Sequence, residues 1–457
     1  MKIRFSNPIL AICLSLVGAS RITTYVAYPQ GFRSPDTSTY FNGEFLNFNL
    51  VSLVGHSSRG WVVPLLFAFM PDRSAVIFLQ LAISALAWAY LLISLAKVLL
   101  NKKIRNFMLL ATTVLASAPQ IIQHDTVILA TSLTNSFFIV LLALFFRILY
   151  FVQVSSRVFA YLILIATMLM VQKPTLIPIS LAFVLLAFYS KRDQVDLMRK
   201  IFAVAAISMS VVYSLIVGSN VNSNWQVSYS GQTLLWQLGG QSPVATEFAA
   251  YLNKQSAPQC LTSEAPYQDL NSSIGKILND CPAGAKFLKE DIQREFISFL
   301  VANPKAAVDL VVIGAGASST NSASNYGGAV SILPKFLSDG FFGTTAPNIT
   351  DSNVQDQVEG LNLINSGKPF WIFAPIFGWL LLASIGIFFR KNLNRKEYIL
   401  YIALLFSLLQ SALVVVLLPS EWTRQTVPFV ISILVLSMLL SAKFVAAIFD
   451  STTKRDS

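Results

Sequence analysis

Ten apolar runs, most of them near twenty residues and almost free of charge, dominate this chain of 457 residues. About 20 residues at 1.5 Å of rise each cross the hydrocarbon core of a bilayer, so each run predicts a membrane-spanning helix. They extend from Pro8 to Ala27, Ser74 to Leu99, Asn106 to Ile122, Thr126 to Phe146, Val158 to Val171, Thr175 to Tyr189, Ile201 to Gly218, Phe370 to Phe389, Glu397 to Leu418 and Val427 to Phe449. The third and fifth are short. Lys2 and Arg4 give the first run the look of a signal peptide, but nine further runs behind it make an uncleaved helix the expectation. Only 12% of the residues are charged, against roughly 25% in soluble domains. Soluble enzymes, nucleic-acid binders and disordered scaffolds are excluded on that ground. The expected fold class is an all-α polytopic membrane protein.

The basic residues predict an orientation. With the N-terminus in the cytoplasm, the inner segments hold 19 of the 33 Lys and Arg but only five acids, a charge of +14. The remaining 14 bases and 17 acids leave the outer segments at −3. Short loops rich in Lys and Arg stay inside, so both termini are expected to be cytoplasmic in a multi-pass protein. The overall charge of +11 is then a topology signal, with no nucleic-acid partner implied.

Three parts follow: an N-terminal transmembrane module over 1–218, an extracytoplasmic domain over 219–369 and a C-terminal transmembrane module over 370–457. The first module includes an outer loop over 28–61. The middle part is long enough to fold by itself, with a mixed or helical architecture. It carries Cys260 and Cys281, the two cysteines outside the apolar runs. An oxidising outer compartment permits a disulfide between them, and two free thiols are the alternative. Asp291 to Leu300 has the apolar spacing of an amphipathic helix ended by Pro304, and Gly314 to Gly328 reads as a flexible loop. No internal repeat is visible.

Four short polar clusters lie at the expected outer edge, where an ionisable group is costly unless it is used or paired. The first is Ser34-Pro35-Asp36-Thr37, where Asp36 could take a proton from an incoming hydroxyl or cap a helix. In the second, Gln120-Ile121-Ile122-Gln123-His124-Asp125, Asp125 could cap the fourth span while His124 faces the headgroups. The pair could equally hold a divalent cation, Mg or Mn, or a diphosphate through one, although two ligands do not make a site. The third is Gly55 to Trp61, where Arg59 suits a lipid phosphate or an ordinary interfacial anchor. Lys173, and Arg424 in Pro419 to Pro428, form the fourth; each could snorkel or converge with Arg59 on one anionic group.

The order of these clusters resembles the GT-C superfamily of integral-membrane glycosyltransferases, which use polyprenyl-phosphate-linked sugars. The matching residues are Asp36 in Pro-Asp-Thr-Ser-Thr-Tyr of the first outer loop and Asp125 in Gln-His-Asp between spans three and four. Ser58 to Pro64 and the Arg424 to Pro428 stretch before the last span add to the likeness. The similarity covers about the first two hundred residues and the last fifty. It implies a bacterial plasma-membrane enzyme with Asp36 as general base and Asp125 as a second acidic position. Arg59, Lys173, Arg424 and His124 would hold the lipid phosphate. The donor would be a polyprenyl-phosphate sugar, and the acceptor a cell-envelope glycan, a lipid or a protein. There is no Asp-x-Asp, and Thr131 to Asn135 stands where an acid is often found, which leaves metal dependence open.

Rival classes make different demands. A polysaccharide polymerase or ligase leans on Arg and His in its large loop, and 219–369 contains Arg294 alone and no His. A transporter of lipid-linked sugars is expected to carry charges within its spans or repeats, and neither is evident in the pattern. A non-catalytic membrane scaffold is the remaining alternative.

Overall fold

The computed structural model describes residues 7–32, 62–192, 203–213, 236–238, 242, 244–263, 265, 280–317, 368–388, 393–417 and 422–453. Among these the chain is helical, with no strand beyond a single bridge between Phe32 and Val127. Five helices are long and apolar enough to cross a membrane, over Pro8–Ala27, Arg73–Val98, Ala130–Tyr150, Arg395–Val414 and Thr426–Val445. Shorter apolar helices cover Ser156–Gln172, Pro174–Ser190, Ala203–Tyr213 and Ala374–Ile387.

Local signals start and stop these helices where the chemistry demands. Helix α1 (Pro8–Ala27) begins with Pro at its first position, and the Asn7 side chain accepts from the Ile9 N–H at 3.2 Å. After the short α2 (Val62–Ala68), Asp72 caps α3 (Arg73–Val98) by accepting from the Ala75 N–H at 2.8 Å. Asn101 does the same for α4 (Lys102–Ala116), accepting from Lys103 and Ile104. Side-chain oxygens at these positions satisfy N–H groups that the first turn cannot.

The third apolar run does not form one helix. Residues preceding proline avoid the helical region, and Ala118 is extended (φ −64°, ψ 132°), so α4 ends at Ala116. Pro119 opens a separate helix α5 (Pro119–Thr126). The expected tight turn over 120–125 is therefore a buried helix. The fourth run is displaced in consequence, since α6 (Ala130–Tyr150) starts four residues later than Thr126.

Helix α6 is the bundle's axis. Of its most apolar window 83% is buried, against 22% for α1, which lies at the periphery. It packs against α3, α7 (Ser156–Gln172) and α8 (Ile177–Ser190), and against the last helix α16, described below. Helix α9 spans Ala203–Tyr213. Arg147, near the end of α6, donates to the Tyr90 hydroxyl of α3 at 2.7 Å, while Gln80, near the start of α3, donates to the Val127 carbonyl just before α6, so the two helices run side by side in one direction.

A separate helical unit follows in sequence: α10 (Ala245–Lys254), α11 (Pro282–Glu290), α12 (Ile292–Ala302) and α13 (Pro304–Ala317). Its own core gathers Phe248, Leu252, Leu261, Leu288, Phe296 and Phe299. A disulfide joins Cys260 to Cys281, which also caps α11 by accepting from the Gly284 N–H. Helix α12 stops at Ala302, and Pro304 immediately starts α13, which continues through Ala317. The expected loop from Gly314 is thus helical over its first four residues. Helix α13 packs against α15 (Arg395–Leu417).

Helices α14 (Lys368–Phe388), α15 and α16 (Trp422–Thr453) complete the bundle. A Cβ on Gly378 of α14 would lie 2.9 Å from Ile433 and 3.0 Å from Leu408, so this glycine permits the three helices to approach closely.

Candidate functional site

The bundle has two unlike ends. One gathers Lys191, Arg395, Lys396 and Lys443. The other collects the flanks of all four polar clusters.

At this second end the chain leaving α1 turns through Gly31, whose φ is +54°, and whose Cβ, if present, would collide with Ile77 and the Thr126 carbonyl. Only glycine accepts that turn so close to another backbone. Phe32 then pairs with 126–128: its N–H donates to Thr126 at 2.8 Å and its carbonyl accepts from Ile128 at 3.0 Å. The chain is thereby fixed four residues before Asp36 and one residue after Asp125. Phe32, Val63, Phe67, Ile77, Ile122 and Val127 share one apolar cluster beneath this pairing.

The other two clusters join through side-chain amides. Gln172, last residue of α7, accepts from the Val63 N–H at 3.2 Å, which ties the start of α2 to the turn containing Lys173. Lys173 is half-buried, with its N–H donated to Leu169 and its carbonyl accepting from Leu176. On the far side of that turn, Gln410 of α15 donates to the Thr175 carbonyl at 2.9 Å. Asp36 and Arg59 lie outside the described residues, and Arg424 is described only as part of the backbone of α16.

His124 and Asp125 are buried on α5, neither at a headgroup surface. Asp125 does not cap α6, whose N-cap is Leu129 without a side-chain bond. Its carboxylate instead accepts from the Ser132 hydroxyl at 2.6 Å and lies 3.8 Å from the guanidinium of Arg21. Both side chains are at most 4% exposed. The Arg21 fork also donates to the Ala116 carbonyl at 2.5 Å, to Ser20 at 3.0 Å and to Ser84 at 3.3 Å. It thus satisfies a carbonyl left open at the end of α4 while linking α1, α3, α4 and α5. Gln80 of α3 completes the arrangement, donating to the carbonyls of Asp125 at 2.9 Å and Val127 at 3.0 Å.

Arg21 is the residue that sequence reasoning passed over. Position alone groups it with the outer bases, yet it lies inside α1 on the inward stripe Cys13, Val17, Arg21, Thr24. Charge within a span is present after all. The available signal was that stripe: four residues at helical spacing, one of them an arginine that could not face lipid cheaply.

The chemistry of this knot is positional. A carboxylate held by a guanidinium and a hydroxyl is a poor base for an incoming substrate. Nor do these residues fit a divalent cation: among the described residues no third His, Cys, Asp or Glu joins His124 and Asp125, and the Arg21 charge faces the one carboxylate. Asp125 therefore fixes α5 and the segment paired with Phe32. No protein-family model, no curated protein and no solved structure matches this chain.

Proposed function

We propose that the chain is an integral-membrane glycosyltransferase that moves a sugar from a polyprenyl-phosphate donor to an acceptor hydroxyl, at the end of the bundle where the four clusters are anchored. The acceptor class is a cell-envelope glycan, a lipid or a protein. One observation carries the reading: the pairing of Phe32 with 126–128 and the Val63–Gln172 bond tether clusters far apart in sequence to one end. The opposite end holds the basic residues, which supports a ten-span arrangement with that end and both termini in the cytoplasm and with 219–369 outside.

In the reaction, the Asp36 carboxylate takes the acceptor's hydroxyl proton. The freed oxygen bonds to the anomeric carbon with inversion while the bond to the lipid phosphate breaks, and the phosphate leaves with the electron pair. Arg59, Lys173 and Arg424 offset its charge through charge-assisted contacts. Asp125, engaged by Arg21, serves as a positioning residue for the Asp36 loop.

Purified protein assayed against a panel of radiolabelled polyprenyl-phosphate sugars tests this directly. Asp36→Asn preserves size and capping but cannot accept the proton, so turnover should fall about a hundredfold or more with donor binding near normal. Near-full transfer by Asp36→Asn would sink the assignment. Arg21 within a span favours a second reading, transport of a lipid-linked sugar. Sugar moved across a vesicle without any new glycosidic bond would select that reading instead.

A further inference from the structure

The basic end brings cations from distant parts of the chain onto shared aromatic and carbonyl groups. The Lys396 and Lys443 ammoniums both lie over the Tyr150 ring, 5.3 and 5.1 Å from its centroid. Arg395 lies over Tyr189 at 5.1 Å and donates to the Tyr189 carbonyl at 2.6 Å. Lys191 reaches the Phe151 carbonyl at 2.5 Å. These four cations meet one carboxylate among the described residues, Glu397, which is 3.5 Å from Lys443 and also accepts from the Asn394 N–H. In sequence the adjoining stretches add no net negative charge: 193–200 and 446–457 each hold two acids and two bases, and 389–392 adds Arg390 and Lys391.

Like charges repel unless something of opposite sign stands between them. The Lys191 ammonium shows the strain of this crowding, held below its ordinary range by burial first and then by Lys396 and Arg395. A second, independent feature points the same way. The Tyr150 hydroxyl is buried and has no hydrogen-bond partner among the described residues, although a buried hydroxyl ordinarily finds one.

We propose that this end of the bundle binds the headgroup of an anionic phospholipid, its phosphate held between Lys396 and Lys443 beside the Tyr150 hydroxyl. Exposed apolar side chains on the flanking helices near this end, Leu185 of α8 and Tyr398 of α15 among them, provide surface for acyl chains, which is why a lipid suits the place better than a free anion. Basic pockets between helices at a membrane edge are suited to such headgroups. The inference rests on the membrane reading alone and is independent of the transferase reaction.

The test uses the full chain in a neutral detergent, with bound lipid read by native mass spectrometry. Phosphatidylglycerol, phosphatidylcholine and inorganic phosphate are titrated in parallel. Phosphatidylglycerol should be retained and phosphatidylcholine should not. Lys396→Gln should weaken retention about fivefold, and Lys396→Gln with Lys443→Gln about twenty-five-fold, at roughly 1 kcal/mol per basic residue. Lys286→Gln on α11 should change nothing. Because Lys443→Gln strands Glu397, the single Lys396→Gln variant decides the matter if the double variant misfolds. Equal retention of both lipids, unaltered binding by Lys396→Gln, or an equal response to inorganic phosphate would each overturn the proposal.

Discussion

The helical bundle and the disulfide-bonded helical unit are built from the same secondary structure but place their polar side chains differently, as two different solvents would require. In the unit over 244–317, phenylalanines fill the centre: Phe248 meets Phe296 at 5.2 Å and Phe299 at 5.1 Å between ring centroids. Its surface carries ion pairs such as Lys305 with Asp309 and Arg294 with Asp291. The bundle reverses this in part. Ile12, Leu16, Leu86 and Val114 face outward, while Arg21, Gln80, Ser84, Asp125 and Ser132 are buried together. Where the surroundings are hydrocarbon, apolar burial gains little, and polar contacts and close packing must hold helices together. In water the hydrophobic effect does that work.

The largest expected effect falls on the buried ion pair. Arg21→Met removes the charge that compensates the buried Asp125, and should destabilise the bundle by about 3–5 kcal/mol. Arg21→Met with Asp125→Leu should recover much of that loss, as apolar replacement of a whole buried pair commonly does. Chemical denaturation in detergent measures both. Equal stability of the single and double variants would mean that the bundle core is no more polar in its energetics than the other unit.

Next comes a pair of matched surface changes. Leu86, in the middle of α3, and Ile297, on α12, are both largely exposed, at 70% and 53%. Leu86→Lys should cost about 3 kcal/mol in membrane insertion, and Ile297→Lys less than about 0.5 kcal/mol in thermal unfolding. Similar costs at the two positions would break the two-solvent comparison.

Comparable in size, but confined to one region, is the disulfide. Cys260 and Cys281 are 21 residues apart, and closing a loop of that length restrains the unfolded chain by roughly 3 kcal/mol. Cys260→Ala with Cys281→Ala should lower the melting of the 244–317 unit and leave the bundle transition in place, followed by circular dichroism. Smallest of the four, Ser132→Ala removes one donor from the Asp125 carboxylate. It should cost about 1.5–3 kcal/mol at most, detectable as a lower midpoint for the bundle transition alone.

How much of this was legible follows from the same physics. Helices α3, α14, α15 and α16 begin and end close to their apolar runs, because composition sets a span and needs no partner to do so. The division of the third run did not show, since Ser117 and Ala118 are unremarkable in hydropathy and only the Pro119 backbone constraint separates α4 from α5. His124 and Asp125 stood out as polar residues of an expected outer turn, but their burial was not legible, since it depends on Arg21, Gln80 and Ser132 arriving from other helices. The tethers Phe32–Val127 and Val63–Gln172 use backbone groups, which every residue carries alike. No side-chain pattern announces them.

The placement of Arg21 also sets an order of events during synthesis. At roughly 5–20 residues per second, Asp125 emerges on the order of ten seconds after Arg21. Helix α1 must therefore enter the membrane with its arginine unmatched, the side chain reaching for the nearer headgroups. Only when α3, α4 and α5 have followed can the guanidinium be drawn inward. Helix α1 thus locks only after the three helices that hold Arg21 have been made, and this step of assembly is timed by a residue whose partners do not yet exist when it is translated.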